Sequence, residues 1–135
     1  MKIWAHVLAS LILAALIYPL FGFKSILVFA GGVLVDFDHY IWFTLKYKKF
    51  GVYKCYKFYM EESRKENFKK VWRLLLAFHT IEFFVMMIVF SFFSKFIFLI
   101  TLGLVLHYIL DGIWYCRLGM LVPEISILRW ILRNS

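Results

Sequence analysis

Residues 25–45, SILVFAGGVLVDFDHYIWFTL, decide how this chain folds. The stretch is apolar and, at about 1.5 Å per residue, long enough to cross the roughly 30 Å hydrocarbon core of a bilayer as a helix. Yet it carries Asp36, Asp38 and His39. Translocon scales set an Asp at a helix centre at roughly 2.5–3.5 kcal/mol, against about 0.3–0.6 recovered per Leu, Ile or Phe. These acids therefore require partners on other helices.

Three further stretches have spanning length: Ile3–Phe21, Leu74–Phe93 and Phe96–Cys116. Hydrophobic residues make up 64% of the 135, and Phe alone contributes 16. Ordinary soluble domains hold roughly 45–50% apolar residues on a similar set, and a globule of this length has too little interior for the surplus. The same composition excludes a disordered chain and a disulfide-stapled miniprotein. The expectation is an all-α integral membrane protein, a single membrane domain over residues 1–135. Its four transmembrane helices form two hairpins closed at Lys24 and Lys95. A polar segment, 46–73, joins the hairpins, and the tail, 117–135, ends in a short amphipathic interfacial helix.

Sixteen Lys and Arg against eight Asp and Glu give a net charge of +8. Ten of the bases lie in 46–73. With that segment cytoplasmic, Lys2, Arg117, Arg129 and Arg133 also fall inside, leaving only Lys24 and Lys95 outside. This asymmetry places the chain in the cytoplasmic membrane with both termini cytoplasmic. Tyr18-Pro19-Leu20-Phe21 is bulky where a signal peptidase needs small residues, so the first span is expected to be retained. The basic segment interleaves aromatic residues and suits anionic headgroups. Positive-inside topology accounts for its charge, and no nucleic acid is expected as partner. Cys55 and Cys116 are expected to be reduced thiols.

All four histidines, His6, His39, His79 and His107, fall within the expected spans. So do four of the eight acids, Asp36, Asp38, Glu82 and Asp111. The alternating helix directions bring all eight toward the cytoplasmic half of the bilayer. His79 and Glu82 are i, i+3, Asp36 and His39 are i, i+3, and His107 and Asp111 are i, i+4, so each pair is expected on one helix face. Asp38 points elsewhere on an ideal helix. Either the backbone is distorted there, for which Gly31-Gly32 gives scope, or Asp38 acts from behind the ligands. Imidazoles with carboxylates and no thiolate suit a divalent metal, Zn²⁺ first, with Mn²⁺ and Fe²⁺ compatible. Eight donors exceed one tetrahedral site and admit two ions, with a bound water as nucleophile.

The segment Gly32-Val33-Leu34-Val35-Asp36-Phe37-Asp38-His39 resembles the G-x-L-x-P-D-x-D-H signature of small membrane-bound metal-dependent hydrolases. That family is similar in motif to zinc-dependent phospholipase C and P1-type nuclease. His6 matches its early histidine, and His107-x3-Asp111 its later helical His and Asp. Val35 stands where the family has Pro, and Phe78-His79-Thr80-Ile81-Glu82 is a reduced form of its H-R-x-x-H-S element. The resemblance implies a membrane-embedded metal-dependent hydrolase acting on a phosphoester, with an anionic phospholipid as the natural substrate class. All eight residues would supply metal ligands, with Asp38 or Glu82 spared as general base. Two other readings fit the residues: an ion, proton or metal transporter, and a metal-stabilised membrane protein without catalysis.

Overall fold

The computed structural model describes residues 3–62, 76–117 and 126–134. Among them the chain is entirely helical. Seven α-helices follow in order: α1 Ile3–Phe21, α2 Val28–Gly32, α3 Phe37–Tyr47, α4 Val52–Glu62, α5 Ile81–Ser91, α6 Lys95–Arg117 and α7 Ile127–Asn134. Short 3₁₀ turns occupy Gly22–Leu27, Leu34–Asp36 and Ala77–His79. The helices gather into two compact units, one of 1–35 with 82–122, the other of 36–81 with 123–135.

Two stretches are long and apolar enough to cross a membrane: the helical run Ile3–Tyr47 and Lys95–Trp114, each with mean hydropathy 2.1. Four spans were expected, and two of them form differently. In the stretch expected to span 74–93, α5 covers only Ile81–Ser91, about 16 Å of helix, too short for the hydrocarbon core. The reason lies in the hydrogen bonds made just ahead of Ile81. The Phe78 N–H donates to the Asp38 carboxylate at 3.1 Å and the Thr80 hydroxyl donates back to the Ala77 carbonyl at 3.0 Å, so the chain ahead of Ile81 is a 3₁₀ turn followed by an extended Thr80. Residues 74 and 75 lie outside the described residues. The stretch 25–45 is likewise divided, because Val33 leaves helical geometry at φ −129°, ψ −47°. The expected amphipathic tail helix is present as α7, whose Leu128, Ile131 and Leu132 are exposed.

In the first unit, Gly22 at φ +57° ends α1 and lets the chain reverse. The return brings Gly32 against Ser10, so close that a Cβ on Gly32 would overlap the Ser10 hydroxyl. On its other side α2 packs onto α6 backbone to backbone. A Cβ on Gly31 would strike the Ile100 carbonyl, and one on Gly103 would strike the Val28 carbonyl. Small residues that permit such approach are the usual basis of helix packing where no hydrophobic force separates protein from solvent. The apolar residues lie largely outside: Leu16, Leu20, Phe23, Phe92 and Phe93 are all exposed, whereas His6, Ser10, Thr101 and His107 are buried.

In the second unit α3 ends on Lys48, left-handed at φ 51°, and Gly51 at φ 127° turns the chain into α4. Phe58 and Tyr59 of α4 pack against Phe43, Tyr47 and His39 of α3, with ring centroids 4.9–5.4 Å apart. The segment expected to lie on headgroups thus has a helix with one aromatic face folded onto the chain.

The α2–α6 contact yields a paired expectation. Gly103→Val should force the backbones apart and cost at least about 3 kcal/mol, the upper range of overpacking. Gly112→Ala, where an added Cβ meets nothing within 4 Å, should raise stability by up to about 1 kcal/mol through helix propensity. Thermal unfolding in detergent followed by circular dichroism checks both; equal effects would show that the glycine contact does not hold the unit together.

Candidate metal centre

Each unit carries its own group of histidine and aspartate. In the first unit the uninterrupted apolar run of α6 places His107 and Asp111 one helical turn apart, and α1 brings His6 beside them. The two imidazole rings stack with centroids 4.1 Å apart and planes 22° from parallel. His6 Nε2 lies 3.3 Å from one oxygen of Asp111, and His107 Nε2 lies 3.3 Å from the other. All three residues are buried.

The proton positions follow from the partners. His107 Nδ1 lies 3.1 Å from the Gly32 carbonyl oxygen. A carbonyl only accepts, so Nδ1 carries the proton, and in the neutral ring Nε2 keeps its lone pair. That lone pair faces a carboxylate oxygen. Two acceptors at this separation repel unless a proton or a cation sits between them. A backbone carbonyl that fixes the tautomer of a histidine from behind is the usual arrangement for a metal-ligating imidazole. His6, His107 and Asp111 each offer a ligand atom within 4.8 Å of the others. The buried His6 Nδ1 and Ser10 Oγ have no hydrogen-bond partner among the described residues. The donor set of imidazole nitrogen and carboxylate oxygen could hold a metal ion.

In the second unit the break at Val33 and the 3₁₀ turn at Leu34–Asp36 reset the helical register. Asp36 stands at the amino-terminal boundary of α3 without a capping side-chain hydrogen bond, and Asp38 is buried. One Asp38 oxygen accepts from His39 Nδ1 at 2.9 Å; the other accepts from His79 Nδ1 at 3.0 Å and from the Phe78 N–H at 3.1 Å. Asp36 Oδ1 lies 3.7 Å from His79 Nε2 and from His39 Nδ1. The His39 and His79 rings meet edge to face at 4.8 Å. Asp38, His39 and His79 also have ligand atoms within 4.8 Å of one another. Asp38 holds both rings, and the backbone ahead of it leaves ideal helical geometry at Val33.

The expected pairings fare unevenly. His107 and Asp111 share a face as their spacing predicts, and Asp36 and His39 lie close. His79 and Glu82 do not share a helix face, because His79 sits in the 3₁₀ turn and Glu82 opens α5 after the extended Thr80. Glu82 is half-buried at the start of α5.

Several contributors were not singled out from sequence. Ser10 lies one turn after His6 in α1 and is buried on the same face, a spacing that could have found it. Gly32 contributes only its carbonyl, which no side-chain pattern reveals. From α4, the Tyr59 hydroxyl donates to the His39 carbonyl at 3.3 Å and the Cys55 thiol approaches it at 3.9 Å. Burial pushes the Cys55 thiol up to about 11. Burial, reinforced by the charges of Cys55, Asp38 and Asp36, pushes the Tyr59 hydroxyl well above its ordinary range. Both stay protonated as donors near neutral pH.

No family model, curated protein or solved structure matches the chain. The resemblance to membrane-bound metal-dependent hydrolases accordingly stands on the motif residues alone.

The raised Cys55 thiol has a measurable consequence. A thiol at about 11 is roughly 0.1% thiolate at pH 8, about a hundredfold below an ordinary one. Iodoacetamide at pH 8 should therefore modify the exposed Cys116 at least about a hundredfold faster than Cys55, with the rates converging in denaturing detergent. Equal rates in the folded protein would contradict the burial of Cys55 beneath α3.

Proposed function

We propose that the protein is a membrane-embedded metal-dependent hydrolase that cleaves a lipid phosphoester from the cytoplasmic side. The observation that carries this reading is the buried face-off between the His107 Nε2 lone pair and the Asp111 carboxylate, with His107 held by the Gly32 carbonyl. A divalent ion would resolve that juxtaposition, as a proton on His107 Nε2 also would; we take the ion because His6 brings a third ligand atom to the same point. His6, His107 and Asp111 are assigned as ligands in the first unit, and Asp36, His39 and His79 in the second, with Asp38 as ligand or ring-holding carboxylate. We take the ions to be Zn²⁺, with Mn²⁺ or Fe²⁺ as substitutes. We place both termini on the cytoplasmic side, because the charge asymmetry supports it.

A divalent ion bound there would lower the pKa of its water toward about 7 and polarise a phosphoryl oxygen. The chain's own part is to orient and to exclude water. The Gly32 carbonyl fixes the His107 tautomer, Asp38 fixes both rings of its unit, and burial keeps the His6 group out of bulk solvent. Asp38, whose oxygens also hold the His39 and His79 rings, or Glu82 would serve as general base. An acid-rich site among exposed apolar side chains favours a lipid phosphoester over a soluble nucleotide.

Elemental analysis and a lipid assay test this together. Wild type purified without chelator should carry metal, and His107→Ala should lower metal affinity at least about tenfold, since loss even of a supporting partner costs 10–100-fold. Wild type should release headgroup or phosphate from phosphatidylglycerol vesicles, lose that activity on chelation, and regain it with zinc. Metal-free wild type overturns the metal assignment. Bound metal without release from any phospholipid overturns the hydrolase and favours a transporter or a metal-stabilised, non-catalytic protein.

A further inference from the structure

Lys24 and Lys95 are the two bases that the charge asymmetry leaves outside, and they line the same cavity. Together with Ser94, Phe21, Phe93 and Phe96 they line a cavity of about 460 Å³ between the turn after α1 and the start of α6. This end of the first unit is remote from the His6 group. His6 and Phe21 are separated by roughly 22 Å along α1, and Lys95 and His107 by roughly 18 Å along α6.

The cavity's chemistry is cationic. Both lysines are exposed, and neither has a carboxylate within ion-pair distance among the described residues. The Lys24 ammonium sits 5.3 Å from the centroid of the Phe96 ring, a cation–π contact that holds it toward the cavity. The amino end of α6, a helix of 23 residues, adds the positive pole of its dipole, and Ser94 adds a hydroxyl at the same point. The volume falls in the range of small-molecule sites. Its rim is apolar: Phe93 is 82% and Leu20 80% exposed, surfaces that acyl chains would cover and water would not.

We propose that this cavity binds the phosphate of one anionic phospholipid headgroup, with Lys24 and Lys95 clasping the phosphate oxygens and the rim phenylalanines lying against the upper acyl chains. The site is independent of the metal groups and of any hydrolysis. It would anchor the unit in the outer leaflet at the end opposite its buried histidines.

Native mass spectrometry of the full chain in detergent, titrated with phosphatidylglycerol, tests the assignment. Wild type should retain one lipid about tenfold more tightly than the rest. Lys24→Gln/Lys95→Gln should lose that tight lipid, Lys24→Arg/Lys95→Arg should keep it, and Lys49→Gln/Lys54→Gln, which removes equal charge from the basic segment, should leave it unchanged. Circular dichroism verifies helix content in each variant. Should the Gln pair fail to fold, competition decides: the tight lipid should resist millimolar inorganic phosphate and should not be replaced by phosphatidylcholine. Displacement by phosphate alone would reassign the site to the free anion. Equal retention of phosphatidylcholine, or of phosphatidylglycerol by the Gln pair, would overturn the proposal.

Discussion

The first unit depends on one contact, the backbone-to-backbone approach of α2 to α6 at Gly31 and Gly103. In an apolar environment helices gain little by hiding leucines from lipid; they gain by packing closely and by satisfying polar groups against each other. The glycines supply the closeness. They bring the Gly32 carbonyl within 3.1 Å of His107 Nδ1, and that single acceptor fixes which nitrogen of the ring is available to Asp111. The same return of the chain sets Gly32 against Ser10, one turn from His6. A side chain at these glycines would act on the chemistry through the backbone, without touching a ligand.

Where an uninterrupted apolar run governs the structure, the sequence is a good guide. α1 occupies the expected Ile3–Phe21, and α6 exceeds the expected span by one residue at each end. The i, i+4 spacing of His107 and Asp111 translates directly into shared contact with one carboxylate. The misses share a cause, a hydrogen bond between residues distant in sequence. The Phe78 N–H donates to Asp38 across 40 positions and spoils the helix that hydropathy alone predicts ahead of Ile81. Propensity cannot register such a bond, and with it goes the expected pairing of His79 with Glu82. The glycine pair was read as scope for distortion, and the chain does leave helical geometry immediately after it, at Val33. Which residues then turn inward depends on tertiary contacts.

Polarity runs partly inverse to that of a soluble protein. Many phenylalanines and leucines are exposed, while His6, Ser10, Thr101, His107 and Asp111 share the interior of the first unit with Val28, Leu99 and Leu104. This inversion explains how a chain so apolar keeps ionisable groups on its helices: each buried aspartate is met by imidazoles, and each imidazole is held by a carboxylate or a carbonyl. The His6, His107 and Asp111 group is buried, a setting in which a bound cation would interact strongly with its ligands.

The account rests on histidine nitrogen and carboxylate oxygen sharing a metal ion. X-ray absorption at the zinc edge of the zinc-loaded, full-length protein tests this most directly. The account predicts a first shell of nitrogen and oxygen at about 2.0–2.2 Å, with outer-shell scattering from imidazole rings. A shell containing sulfur at about 2.3 Å, which would implicate Cys55 or Cys116, or a hexa-aqua ion without imidazole scattering, would contradict it.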